Sequence, residues 1–198
     1  MSADGAGGAN SPADPPADPP SLHILAAVVE NKFGVLARIA GLFSRRGFNI
    51  FSLAVAPTHD PEFSRVTIVV DLGDVAGGGV GATDTNVDQI AKQLDKLINV
   101  VQISELRPAE SVERELLLAR VSADDRVEVD KVLARWGGSV LDADDDEMIV
   151  SVDAHPSEID RCEAELRKFG IGVLQRTGRI ALRKLSQDEP PVAVVEQL

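Results

Sequence analysis

Two asparagines and a glycine around a helix start are the best-defined chemical candidates in this chain. In the stretch ENKFGVLARIAGLFSRRGFNIFSLAVAPT, residues 30–58, Asn31 and Gly34 precede an amphipathic segment and Asn49 opens the apolar segment after it. A helix N-terminus presents unpaired amide N–H groups and the positive end of the helix dipole, which suit a carboxylate or a phosphate. Gly34 lets a ligand or another backbone approach closely. An asparagine amide both donates and accepts, so Asn31 and Asn49 can each serve a carboxylate or an ammonium group. Val35, Leu36 and Ile50 supply apolar surface between them. The combination suits a small aliphatic amino acid. The same residues also have a plainer use, in which Asn31 and Gly34 shape a turn and Asn49 satisfies backbone groups, and residue types alone leave both readings open.

Other candidates for chemistry are weaker. His23 falls in an apolar strand segment, His59 in a turn-rich segment and His155 just before a helical segment, at separations that match no zinc or triad pattern. Cys162 is the single cysteine, so it has no internal disulfide partner and no metal-ligand spacing, which favours a reducing compartment and a cytoplasmic location. The acidic run DADDDE, residues 142–147, lacks the glycine and distal glutamate of a calcium loop and reads as a solvated hairpin tip. Gly77, Gly79 and Ala82 satisfy G-x-G-x-x-A, but GDVA separates them from the preceding strand and TDTN from the following helix. A dinucleotide fingerprint needs an immediate strand-to-helix turn, so a flexible insertion is the preferred reading.

Charge excludes one further class. The chain of 198 residues carries 20 Lys and Arg against 32 Asp and Glu, a net charge of -12 that repels phosphate backbones. No apolar stretch reaches the ~18 residues that would span a bilayer. Residues 1–20 are rich in Ala, Pro, Gly and Asp and read as a disordered tail, and residues 186–198 read as a second loose tail.

Between the tails, periodicity gives the elements that must position the candidate site. LHILAAVV is a strand, Leu36, Ile39, Leu42 and Phe43 recur at helical spacing, and Gly47 follows as a cap. FNIFSLAVA and SRVTIVVDL are strands, NVDQIAKQLDKLI is a helix with Val87, Ile90, Leu94 and Leu97 on one face, and VVQISEL is a strand. ERELLLARVSA, RVEVDKVLARWG, SVLDAD, EMIVSVDA, PSEIDRCEAELRKFG and IGVLQRTGRIALRKL repeat the order, the last as one or two strands. Two split βαβ units thus lie in tandem, each a four-stranded antiparallel sheet with two helices on one face. The boundary falls near RPAESV, which divides the ordered chain into residues 21–107 and 108–185.

VVENKFGVLARIAGLFSRRGFNIFSLAVAPTHDPEFSRVTIVV, followed by QIAKQLDKLINVVQISEL and VERELLLARV, resembles the small regulatory subunit of acetolactate synthase, also called acetohydroxyacid synthase. The resemblance runs in order over roughly residues 22–185. It implies an α+β chain of two tandem ferredoxin-like βαββαβ domains, the first an ACT domain for amino-acid binding and dimerisation. It also implies no catalysis by this chain alone and no cofactor bound to it. The partner would be the catalytic (large) subunit, expected to hold thiamine diphosphate, Mg and FAD and to convert two pyruvates to 2-acetolactate and CO2. This chain would raise the partner's activity and confer feedback inhibition by valine or a related branched-chain amino acid.

Carried over by position, the implied allosteric site comprises Asn31, Gly34, Val35 and Leu36 of one protomer with Asn49 and Ile50 of its neighbour. The glycine-rich insertion at residues 77–82 and the two tails depart from the family pattern without touching these residues. An alternative is a free-standing ACT-type sensor that controls a different enzyme, which co-purification with a large thiamine-diphosphate enzyme distinguishes.

Overall fold

The computed structural model describes residues 22–46, 48–71 and 82–185. The first domain runs β1 (Leu22–Glu30), α1 (Val35–Arg46), β2 (Asn49–Pro57), β3 (Phe63–Asp71), α2 (Ala82–Leu94) and β4 (Val100–Leu106). Its antiparallel sheet has the order β2-β3-β1-β4, with β2 at one edge. The second domain runs β5 (Ser111–Ser122), α3 (Arg126–Trp136), β6 (Ser139–Ala143), β7 (Glu147–Ala154), α4 (Pro156–Leu166), β8 (Ile171–Arg176) and β9 (Ile180–Arg183). Its sheet repeats the first as β6-β7-β5-β8, and β9 pairs with the first residues of β5. The α+β class and the tandem βαββαβ order are those expected from periodicity.

Alternation along the strands explains each core. Leu25, Ala27 and Val29 of β1 and Val66, Ile68 and Val70 of β3 face the helices, where Ile39, Leu42 and Phe43 of α1 and Val87, Ile90 and Leu94 of α2 meet them. Each of these large side chains contributes about 1.5–3 kcal/mol on leaving water. In the second domain Leu117, Ala119 and Val121 of β5 play the same part against Val129, Leu133, Ile159 and Leu166. Cys162 belongs to this core and is fully buried. His155 caps α4, accepting from the Ser157 amide while Glu158 reaches back to the His155 amide.

Four local readings change. The buried position on the first turn of α1 is Val35, while Leu36 is 42% exposed, so the inward stripe starts one residue earlier than expected. α2 begins at Ala82 and ends at Leu94, where the expected helix began and ended later; Leu97 still packs on the core, but through a turn whose amide bonds back to Leu94. TDTN therefore lies inside α2, and it does not separate Ala82 from the helix. Gly77 and Gly79 of the G-x-G-x-x-A match lie outside the described residues, as do Gly47 and both expected tails. The expected linker is a 3-10 turn, Pro108–Glu110, that leads straight into β5.

The largest addition concerns the sheet face away from α1 and α2. β1 is apolar at every central position because both of its faces are covered. Ile24, Ala26, Val69 and Leu106 on the second face pack around Ala181 of β9. The β5–β9 ribbon thus docks the second domain on the first. Arg179 donates its amide to Ser52 Oγ at 2.9 Å and holds its guanidinium 5.6 Å from the centre of the Phe51 ring. Arg183 bonds the Glu105 carbonyl at 3.1 Å and pairs with Glu110.

Candidate functional site

The loop that enters α1 turns on a glycine. Gly34 adopts φ 79°, a left-handed conformation that lets the chain turn into the helix, and a Cβ there would meet nothing within 4 Å. The first bond of the helix runs from the Arg38 amide to the Gly34 carbonyl, and no acidic side chain occupies the first turn of α1. The Val35 amide bonds the Lys32 carbonyl at 3.4 Å, while the Leu36 and Ala37 amides have no intrahelical acceptor and no carboxylate of their own.

Beside them is a small cleft of about 70 Å3, lined by Asn31, Lys32, Val35, Leu36 and Ile39 and closed by Val55 of β2. Lys32 brings a cation to its mouth, where its ammonium pairs with Glu30 at 2.8 Å. Glu30 also accepts from Asn99 Nδ2, and Asn99 Oδ1 accepts from Arg38 at 2.6 Å. Hydrogen bonds from Lys32 and then Asn99 hold the Glu30 carboxyl below its ordinary pKa. Asn31 is fixed by a bond from its side chain to the Pro61 carbonyl at 3.0 Å and one from its amide to the Glu62 carbonyl at 2.7 Å.

Asn31, Gly34, Val35 and Leu36 are thus together at one end of the sheet. Asn49 and Ile50 are not with them. Asn49 pairs with Asp71 at the far end of β3, whereas Asn31 follows Glu30, which pairs with Phe63 at the near end. Eight steps of ~3.3 Å along β3 set the two groups roughly 25 Å apart within one protomer. Glu30, Lys32, Arg38 and Asn99 were not picked out by sequence. Glu30 and Lys32 flank Asn31, which was a usable signal, whereas Asn99 joins only because β4 returns beside β1.

Known proteins match the chain over both domains. Residues 25–102 match the model of the AHAS small subunit-like ACT domain, and residues 114–185 match that of the small subunit of acetolactate synthase. The chain belongs to the acetolactate synthase small-subunit family. A probable acetolactate synthase small subunit of Methanothermobacter thermautotrophicus is 39% identical over 171 residues, covering 85% of this chain and 96% of the relative. The acetolactate synthase small subunit of Mycobacterium bovis is 40% identical over 167 residues, covering 83% and 94%. The crystal structure of the acetolactate synthase small subunit from Thermotoga maritima superposes with a TM-score of 0.72 at 31% identity, covering 82% of this chain and 97% of that one. For a small-subunit family member, the cleft at the start of α1 lies in the ACT domain. Among the described residues, no three His, Cys, Asp or Glu side chains come together to hold a metal ion, and no helix is long and apolar enough to cross a membrane.

Proposed function

We propose that this chain is the regulatory subunit of acetolactate synthase. It binds and activates the thiamine-diphosphate catalytic subunit and makes that enzyme sensitive to valine or a related branched-chain amino acid. The ligand is held between two copies of the chain, its carboxylate on the α1 amides and Lys32, its side chain on Val35 and Leu36.

The observation that carries this reading is the incompleteness of the cleft. At about 70 Å3 it is about half the ~150 Å3 of an apolar cavity that holds one benzene, less than an amino acid needs. The missing wall has to come from elsewhere. β2 is an edge strand whose outer backbone groups are available for pairing, and it exposes Phe51 and Val55 along that edge. An antiparallel, two-fold pairing of β2 with its copy, centred near Leu53, sets Asn49 of one protomer beside Pro57 of the other. Asn49 and Ile50 then approach the neighbour's α1 entrance, which their own α1 entrance cannot receive.

Binding between protomers favours one dimer arrangement over another, and the catalytic subunit reads that preference as inhibition. The test is an activity titration of the catalytic subunit with and without this chain at several valine concentrations, with sedimentation of the chain alone. Activation that valine reverses, and a dimer at micromolar concentration, are expected. A strict monomer with and without valine removes the shared site.

A further inference from the structure

A groove of about 1190 Å3 lies on the sheet face opposite α1 and α2, far larger than the amino-acid cleft. It runs along the free edge of the first sheet, with Leu53, Ala54, Ala56 and Pro57 of β2 on its floor and Val28 and Thr67 farther in. Its wall is the β5–β9 ribbon, where Val112, Ile180 and Leu182 are 51%, 55% and 56% exposed. This pattern follows from the ribbon's alternation. Glu113 and Ala181 turn inward and are buried, which forces Val112, Ile180 and Leu182 outward. An apolar patch of this kind with a polar rim marks a surface for another macromolecule.

The ribbon meets β2 at the point about which β2 would pair with its copy. Gly178 lies against Ser52 and Leu53, and the Arg179 amide donates to Ser52 Oγ at 2.9 Å. The turn between β8 and β9 therefore stands on the axis of a two-fold pairing centred near Leu53. In such a pairing, residues after Leu53 in one copy run beside residues before it in the other. Ala54 and Ala56 of one floor then adjoin Ser52 and Phe51 of the neighbour, and Phe51 carries the neighbour's Arg179 with its guanidinium 5.6 Å from the ring centre. Two alanines leave room for that ring and its cation, and Phe51 is 50% exposed in the single chain.

Area and charge point to the same occupant. The nine residues of β2 make an edge ~30 Å long and ~5 Å wide, far short of the ~800 Å2 per partner that a standard interface buries. A lasting dimer needs flanking surface, and the groove continues from that edge. At a net charge of -12 two copies repel over much of their surface, whereas the groove holds Arg114 and Asp60 together. A two-fold contact uses both signs, since each copy offers its base to the other's acid.

We propose that this groove is the second half of the dimer interface, closed by Phe51, Arg179 and the β8–β9 turn of a second copy of the chain. The second domain thus takes part in dimerisation along with the ACT domain. This rests on the reading of the amino-acid site as shared between two copies.

The experiment is sedimentation of the full chain over a range of concentrations, in wild type and three variants. Ala56→Glu places a carboxylate on the exposed floor and leaves the β2 backbone free to pair, Ile180→Asp places one on the wall, and Val173→Asp places one on an exposed apolar position of β8 outside the groove. Melting curves confirm folding. Ala56→Glu and Ile180→Asp are each expected to raise the dimer dissociation constant at least tenfold, with Val173→Asp within threefold of wild type. If wild type dimerises and both groove variants stay within threefold of it, the inference is overturned while the shared site stands. If wild type is a strict monomer with and without valine, the shared site fails and takes the inference with it. Groove variants that dimerise as wild type does but no longer activate the catalytic subunit assign the groove to that subunit, which also overturns the proposal.

Discussion

Asn31 donates its side-chain N–H to the carbonyl of Pro61 at 3.0 Å, which ties the loop ahead of α1 to the β2–β3 turn. One residue therefore belongs to two surfaces. The same NH2 group has a second N–H, so a ligand that accepts from it shares one side chain with the turn.

Replacing Asn31 with Ala removes that tie. The residue is exposed and the bond is a neutral one, so the stability loss is expected to stay near about 1 kcal/mol. The Asn31 amide keeps its own bond to Glu62, and the turn stays in place. Hydrogen exchange at residues 58–63 should accelerate in Asn31→Ala, and valine affinity by calorimetry should fall. Unchanged exchange in that turn would show that Pro61 is held by other contacts.

Gly34→Asp is the direct test of the anion site. A Cβ at Gly34 points into open space, and Asp tolerates positive φ better than most residues, so the fold should survive. Its carboxylate then occupies the helix N-terminus that the ligand's carboxylate needs, and the two repel. Valine affinity is expected to fall tenfold or more, about 1.4 kcal/mol per decade, with activation of the catalytic subunit retained. Gly34→Asn isolates the charge, because it has nearly the same shape and backbone tolerance without the carboxylate. Asn49→Ala should give a milder loss, by one polar contact. Wild-type valine inhibition in folded Gly34→Asp would place the site elsewhere.

Periodicity was enough to order the strands and helices of both domains, because each core element buries one face and shows its 2- or 3.6-residue repeat. That Asn31, Gly34, Val35 and Leu36 lie together was legible for the same local reason: Asn31 and Gly34 stand next to the helix they start. What the sequence hid was non-local. Nothing in the sequence of β9 says that Ala181 packs against Ile24 and Leu106, or that its neighbours line a groove. The start of α2 was misplaced because ATDTN has no apolar stripe, so it is invisible to a reading based on burial.

Cys162 supplies a pH-dependent component of stability. Burial first, then the charges of Glu165 and Glu163, push its thiol from 9.0 to about 11. The unfolded chain loses this proton first. Stability from this group is therefore complete below about pH 9 and is lost as pH rises through about 11. Urea unfolding at pH 8 to 11 should show a decline in wild type that is reduced in Cys162→Ala. At pH 8 the native thiol should resist a soluble disulfide reagent and react once urea unfolds the chain. Rapid native labelling would mean that the second core opens far more readily than its packing indicates.

Gly178 tests whether the two domains act as one body. It adopts φ 81°, and a Cβ built there would lie 2.7 Å from Ser52 Oγ and 3.3 Å from the Leu53 carbonyl. Ser52 cannot simply turn aside, because its oxygen accepts the Arg179 amide at 2.9 Å. Gly178→Ala therefore combines backbone strain of ~1–2 kcal/mol with a steric collision between domains. We expect a loss of about 2 kcal/mol or more in unfolding free energy, or separate unfolding of the two domains where wild type unfolds once. A double-mutant cycle identifies the cause. Ser52→Ala removes the oxygen nearest the new methyl group, so Gly178→Ala should cost less in that background than in wild type, a coupling that distant sites lack. Equal cost in both backgrounds would mean that the strain sits in the Gly178 backbone alone and that Ser52 does not hold β9 against the first sheet.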